Sequence, residues 1–167
     1  MCKSKKYQII MKILIVYFSK FGKNKALAEE IQAKISGRVE EIIEKKPRSG
    51  IGLFIVGGFQ AFFKKEVGII APKADPASYD LTIIVSPVWT GHLPPATRRY
   101  LKQMGEDFND FAYISVCANG EKNGESFAED LIGATGKKPK VLTLISEKEY
   151  RENKYSDKLD DFLDELI

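Results

Sequence analysis

Short apolar runs alternate with helical patterns along most of this chain, and this alternation limits the folds it can adopt more than any other feature. The predicted strands are Lys12 to Phe18, Arg38 to Ile43, Leu81 to Ser86, Phe111 to Cys117 and Lys140 to Ile145. Strands that alternate with helices indicate a parallel sheet, and nearly continuous apolar runs indicate strands buried on both faces. The chain is therefore predicted to be an α/β protein, with a doubly wound five-stranded parallel sheet and helices on both faces.

Four predicted helices connect or follow these strands. They run from Asn24 to Ser36, from Pro95 to Met104, from Glu121 to Ile132 and from about Ser156 onward. The first has an apolar stripe of Leu27, Ile31 and Ile35, and Gly37 is expected to end it, as glycine commonly does. The side chains that the last helix should bury are Leu159, Phe162, Leu163 and Leu166. Because such sheets bind ligands at the C-terminal ends of their strands, the loops after strands one, three and four are the candidate sites.

A further helix, predicted from Gly50 to Phe63, is apolar on nearly all sides. This pattern is unusual for a surface helix, which is normally polar on one face. Three roles for the apolar segment Ile51 to Phe63 remain open: an interface between two copies in a homodimer, a cover over the entrance of a ligand site, or a buried core helix.

The length and the 44% hydrophobic content suit one domain. We expect residues 1–10 to be a disordered tail and residues 11–167 to form that domain. The excess positive charge comes from Lys3, Lys5 and Lys6, and from Met11 onward basic and acidic residues are equal in number. A neutral domain argues against a nucleic-acid partner, because such partners are recognised through a basic face.

No stretch of the sequence has the pattern of a membrane span or an export signal. The longest uncharged stretch in the middle of the chain, Ser49 to Phe63, contains four glycines. It is also shorter than the roughly 20 apolar residues that a span needs. The opening segment, Met1 to Ile10, has lysines but no long apolar region after them. We therefore expect a cytoplasmic protein.

The sequence has few residues that could bind a transition metal or form a disulfide. Cys2 and Cys117 lie far apart, and His92 is the single histidine. A structural zinc site needs four cysteine or histidine ligands, usually in closely spaced pairs. Neither a metal site nor a structural disulfide is expected.

The loop from Ser19 to Lys25 joins the first strand to the first helix and has the features of a phosphate site. A helix N-terminus offers unpaired N–H groups, Gly22 lets the backbone approach a ligand closely, and Ser19 and Asn24 could add side-chain donors. The alternative is an ordinary turn capped by Asn24. The glycine patterns of dinucleotide and triphosphate loops are absent. The carboxylate of a receiver-type phosphoacceptor is also absent from the end of strand one.

The loop from Ser86 to Pro95 follows the third strand and carries Trp89, the single tryptophan. Two consecutive prolines stiffen the turn into the next helix. A tryptophan on a stiff loop offers a large face to a flat ligand, and the alternative is that it packs as core at the edge of the sheet.

These two loops resemble those of the flavodoxin-like family. Residues Tyr17 to Ala28 (YFSKFGKNKALA) are similar to its phosphate loop, with Lys23 and Asn24 in place of the usual last two residues. Residues Ser86 to Pro95 (SPVWTGHLPP) are similar to its second flavin loop. The resemblance covers the chain from Met11 onward and implies strand order 2-1-3-4-5 and one non-covalently bound flavin mononucleotide, FMN. The cofactor-binding residues that it implies are Ser19, Lys20, Phe21, Gly22, Lys23, Asn24, Pro87, Val88, Trp89, Thr90, Gly91, Ala118, Asn119 and Gly120.

The loop after the fourth strand is where the family reaches the other side of the flavin ring. Here it contains Asn119 and Gly120 but no aromatic residue, which implies an open face for a partner or substrate. Cys117 could lie near the ring or pack as core. His92 is a weak candidate for a catalytic proton donor, and its alternative role is that of a turn residue.

The resemblance implies a redox protein that transfers electrons through FMN. Its partner would be a redox protein or a small flat electron acceptor. One alternative is a small FMN-dependent reductase or dehydrogenase that acts on a quinone, a porphyrinogen or a similar flat substrate. A second alternative, from another class, is a flavodoxin-shaped binding module without a cofactor.

Overall fold

The computed structural model describes residues 11–46 and 64–167. The strands are β1 (Ile13–Tyr17), β2 (Arg38–Glu41), β3 (Leu81–Val85), β4 (Asp110–Cys117) and β5 (Leu142–Ser146). The α-helices are α1 (Lys23–Ile35), α2 (Pro95–Met104), α3 (Gly124–Thr135), α4 (Glu147–Arg151) and α5 (Ser156–Asp164). The expected tail, residues 1–10, and the predicted helix from Gly50 to Phe63 lie outside the described residues.

The described strands form one parallel sheet in the order β2-β1-β3-β4-β5, as predicted. Successive side chains of β1 point to opposite faces, so Leu14 and Val16 enter one core and Ile13, Ile15 and Tyr17 enter the other. Helices α2 and α3 cover the first core, and α1 and α5 cover the second. The sheet is therefore doubly wound, and all five strands end at one edge.

The end of α1 differs from the prediction. Ser36, not Gly37, takes the left-handed conformation that ends the helix, with φ of 56°, and its N–H donates to the carbonyl of Gln32. Gly37 is required for a different reason: there is no room for a side chain, since a Cβ there would lie 2.9 Å from Cδ1 of Ile15. The glycine signal was correctly placed to within one residue, but its physical reason is close packing against β1.

The C-terminal half departs from the prediction in two places. A 3-10 turn, Gly120–Asn123, comes between β4 and α3, so α3 begins and ends three residues later than predicted. The short helix α4 was not predicted; Ser146 caps it by accepting from the N–H of Glu149, and Glu149 accepts from the N–H of Ser146 in return. The predicted α5 is correct: it buries Leu159, Phe162 and Leu163, and Leu166, two residues after its end, is buried as well. Within the described ranges, no helix is long and apolar enough to cross a membrane.

Candidate functional site

A cleft of about 280 Å³ opens at the edge where β1, β3 and β4 end. Its wall consists of Ser19, Lys20, Phe21, Lys23, Asn24, Pro87, Val88, Trp89, Thr90, Val116, Cys117, Ala118 and Glu147. The cleft thus brings the three predicted loops together. Among the described residues, four of the predicted set do not line it: Gly22, Gly91, Asn119 and Gly120.

The N-terminus of α1 forms one end of the cleft. Gly22 precedes the helix with φ of 84°, and no atom lies within 4 Å of where its Cβ would be, so conformation alone requires glycine. Its carbonyl accepts from the N–H of Ala26. The N–H groups of Lys23, Asn24 and Lys25 precede the first intrahelical bond and add to the positive end of the helix dipole. This geometry suits an anion.

Ser19 supplies a polar side chain at the same end of the cleft. Its Oγ atom is buried, and within the described part of the chain it has no hydrogen-bond partner. A buried hydroxyl without a partner costs roughly 1 to 3 kcal/mol. A ligand oxygen bound at the N-terminus of α1 would remove that cost, which makes Ser19 fit a phosphate.

The two lysines of the cleft wall are each held by a carboxylate. Lys20 Nζ lies 2.7 Å from Oε2 of Glu44, whose side chain is only 2% exposed. Lys23 Nζ lies 2.9 Å from Oε1 of Glu147. The charges of the two lysines that line the cleft are therefore each balanced by a carboxylate.

Asn24 does not cap α1, so the alternative of a turn capped by Asn24 is wrong. Its side chain is buried and bridges to the main chain of β4 instead. The N–H of Val116 donates to Asn24 Oδ1 at 2.9 Å, and Nδ2 donates to the carbonyl of Val116 at 3.1 Å. This amide ties the phosphate-type loop to β4, whose last two residues, Val116 and Cys117, also line the cleft.

The Trp89 loop, Ser86 to Pro95, contains a tight turn. The N–H of Trp89 donates to the carbonyl of His92 and the N–H of His92 donates back, both at 2.9 Å. Thr90 and Gly91 between them have φ of 50° and 77°, the positive values of a type I′ turn. Trp89 both lines the cleft and packs on the core, where its ring meets Phe18 edge-on with centroids 5.9 Å apart. The packing of Trp89 on the core is therefore confirmed, and its contact with a flat ligand stays a prediction.

The stem of this loop is held from behind by hydroxyl groups. Tyr113 Oη donates to the carbonyl of Ser86 at 3.1 Å and to that of Pro87 at 3.3 Å. Burial raises the pKa of the Tyr113 phenol, so the group stays protonated and can donate. Ser86 Oγ also lies 2.7 Å from Thr97 Oγ1, at the start of α2. These contacts fix where the loop leaves β3.

The far end of the loop is held by a buried carboxylate. Asp130, on α3, accepts from the N–H of Leu93 at 3.0 Å and takes two bonds from Arg98, at 2.9 and 2.6 Å. Burial alone would raise the pKa of Asp130, but the bonds from Arg98 and Leu93 and the charges of Arg98 and Lys64 outweigh it and lower that pKa. The carboxylate therefore stays charged at neutral pH.

Neither His92, the candidate proton donor, nor Cys117 has the surroundings that a reacting group needs. His92 Nδ1 lies 3.5 Å from Asp130 Oδ2, and among the described residues His92 is not part of the cleft wall. Cys117 does line the cleft, but burial raises the pKa of its thiol, which keeps it protonated and weakly nucleophilic.

Sequence reasoning missed two residues of the wall, Val116 and Glu147, and it named Cys117, which also lines the cleft, only as a residue that could lie near the ring. A signal for Glu147 existed, because it directly follows β5, whose C-terminal end lies at the same edge of the sheet as those of the other strands. The loop after β5 was not among those considered.

The sequence matches no protein-family model, and no curated protein matches it. Solved structures do match. A flavoprotein from Lactobacillus acidophilus in complex with FMN superposes with a TM-score of 0.68 and 22% identity, over 87% of this chain and 99% of that one. A protein from Bacteroides eggerthii assigned as a flavoprotein superposes with a TM-score of 0.71 and 20% identity, over 92% of this chain and 98% of that one. A flavodoxin from Streptococcus pneumoniae superposes with a TM-score of 0.50 and 14% identity, over 93% of this chain and 99% of that one. Together with the strand order, these likenesses establish that this chain has the flavodoxin-like fold.

Proposed function

We propose that this protein binds one FMN non-covalently in the cleft and acts as a redox protein that transfers electrons. The observation that carries the proposal is the buried Ser19 Oγ beside the N-terminus of α1, in a cleft that Trp89 also lines. The similar flavoprotein from Lactobacillus acidophilus was crystallised with FMN. When bound, FMN supplies the one- and two-electron chemistry, and the protein supplies geometry and electrostatics.

Each part of the cleft has a role in this proposal. Ser19 Oγ and the N–H groups at the start of α1 would hold the phosphate. Trp89 would contact the isoalloxazine ring, and the bonds behind its loop keep it in place before the ligand arrives. Ala118, which lines the cleft, would lie beside the polar edge of the ring. Protein side chains need not react, because the proposed chemistry takes place on the cofactor.

Binding can be tested directly. Flavin-free protein is titrated with FMN and with riboflavin, and quenching of flavin fluorescence gives the two dissociation constants. We expect FMN to bind at micromolar concentration or below. Loss of the Ser19 hydroxyl in Ser19→Ala should weaken FMN binding by about tenfold, because one hydrogen bond to a charged group is lost. The dissociation constant of riboflavin should stay within about twofold.

The matched control is Ser78→Ala, which removes the hydroxyl of an exposed residue at the end of the 3-10 turn Pro76–Ser78 and should change neither constant. A protein that binds no FMN at micromolar concentration would refute the proposal and leave the cofactor-free binding module. Equal weakening of FMN and riboflavin by Ser19→Ala would refute the role given to Ser19.

A second candidate function is a small FMN-dependent reductase or dehydrogenase acting on a flat substrate such as a quinone. The small side chain of Ala118 and the exposed Asn119 favour it, because no bulky group from this loop covers that side of the cleft. Steady-state oxidation of reduced nicotinamide with a quinone separates the two. Turnover without an added reductase supports the enzyme, and its absence across several acceptors supports the electron carrier.

A further inference from the structure

We infer that Glu147, through its ion pair with Lys23, sets how strongly the cleft prefers a flavin that carries a phosphate over one that does not. Glu147 is a specificity residue in this inference, and the inference rests on the proposed FMN function. It concerns a residue that belongs to neither of the loop sequences that resemble known flavin loops.

The geometry brings this carboxylate to the phosphate end of the cleft. Glu147 is the first residue of α4 and Lys23 is the first residue of α1, and both line the cleft. Their side chains meet at 2.9 Å and are 43% and 34% exposed, respectively. The pair therefore lies in the wall, within reach of a ligand, and is free to rearrange when one binds.

Lys23 is the lysine of the wall that can respond to an anion. Lys20 is also in the wall, but its ammonium is bound to the buried Glu44 and lies 5.6 Å from the centroid of the Phe18 ring. Releasing Lys20 would leave a nearly inaccessible carboxylate without this charge partner, which is costly. Releasing Lys23 leaves the carboxylate of Glu147 in contact with water, which costs little.

A phosphate at the N-terminus of α1 would meet Glu147 in two ways. It would compete with the carboxylate for the ammonium of Lys23, and it would be repelled by the carboxylate itself. Riboflavin has no phosphate and would experience neither effect. Screened Coulomb energies between partly exposed charges correspond to a change of roughly three- to tenfold in a dissociation constant.

The decisive variant is Glu147→Gln, which keeps the size of the side chain and removes its charge. At low ionic strength we expect the dissociation constant for FMN to fall by about three- to tenfold and that for riboflavin to stay within twofold. In about 1 M salt, where the Debye length is about 3 Å, the gain for FMN should largely disappear.

The matched control is Glu152→Gln. Glu152 lies just after α4, pairs with Lys154 at 2.8 Å and is 40% exposed, but among the described residues it is not part of the cleft wall. It should change neither constant. In a Lys23→Met background, Glu147→Gln should raise the affinity for FMN by at most half as much as it does in the wild type. An equal rise in both backgrounds would overturn the role given to Lys23.

The outcomes also separate this inference from the proposed function. Wild-type protein that binds neither flavin refutes both. Wild-type protein that binds FMN, with a ratio of FMN to riboflavin affinity that Glu147→Gln leaves unchanged, refutes only the inference. A salt-sensitive rise in that ratio supports it.

Discussion

Replacing Asp130 by asparagine should destabilise the protein and disturb the Trp89 loop together. Asp130 is 3% exposed, and its carboxylate is the acceptor for both terminal nitrogens of the equally buried Arg98. The asparagine side chain keeps the shape but leaves the guanidinium charge without compensation. Breaking a buried ion pair in this way costs about 3 to 5 kcal/mol. At about 2 to 4 °C for each kcal/mol in a chain of this size, the melting temperature should fall by about 10 °C.

The same substitution removes the carboxylate that holds the N–H of Leu93 at the end of the loop. Because Trp89 is the single tryptophan, its emission reports on this loop alone. At a temperature where the variant is still folded by circular dichroism, we expect a red-shifted emission and easier quenching by acrylamide. The dissociation constants for FMN and for riboflavin should rise by similar factors, since the loop is proposed to contact the ring and not the phosphate.

Two further variants separate loop positioning from general instability. Leu163→Ala creates a cavity in the opposite core and should cost a similar 2 to 5 kcal/mol, roughly, without altering the emission of Trp89. The double variant Arg98→Met with Asp130→Leu replaces the ion pair by apolar side chains, which is often neutral for stability, but it still leaves the N–H of Leu93 without its acceptor. It should therefore be stable with altered emission. Native emission in both Asp130 variants would refute the positioning role, and native stability of Asp130→Asn would refute the energetic argument.

Three other predictions each concern the local interactions or backbone conformation of one residue. Asn24→Ala removes the acceptor and the donor that the main chain of Val116 uses, so urea denaturation should show a loss of about 2 to 4 kcal/mol; a loss below about 1 kcal/mol would contradict this account. Thr90→Gly should relieve the positive φ of a β-branched residue and raise the melting temperature by a few degrees, whereas a lower value would show that the Thr90 side chain is worth more than the strain. The bonds from Ser146 and Lys158 lower the pKa of Glu149 to about 2. Its contribution to stability is therefore present above the unfolded pKa of about 4.3 and is lost as the pH falls towards 2. Melting temperatures should fall less over that interval in Glu149→Gln, and an equal fall in both proteins would contradict the assignment.

The sheet and its ligand edge could be predicted because they depend on local patterns. An apolar run such as Leu81 to Ser86 is long enough to indicate a strand, and the prolines that follow it mark the start of α2 at Pro95, where the structure has it. The alternation of strands and helices then fixes which loops share an edge. The boundaries of α1 and α3 were less accurate, because a left-handed Ser36 and the 3-10 turn at Gly120 to Asn123 leave only weak traces in composition.

The charges of the site could not be predicted in the same way, since ion pairs depend on side chains that only the fold brings together. Lys20 and Lys23 look like phosphate ligands in the sequence, yet their partners Glu44 and Glu147 lie 24 and 124 positions away along the chain. Local pattern carries no information about such partners. The neutral wall that results leaves Ser19 and the N–H groups of α1 as the main attraction for an anion. Affinity for FMN should therefore depend only weakly on salt in the wild type, and a strong dependence would mean that Lys23 leaves Glu147 when the phosphate binds.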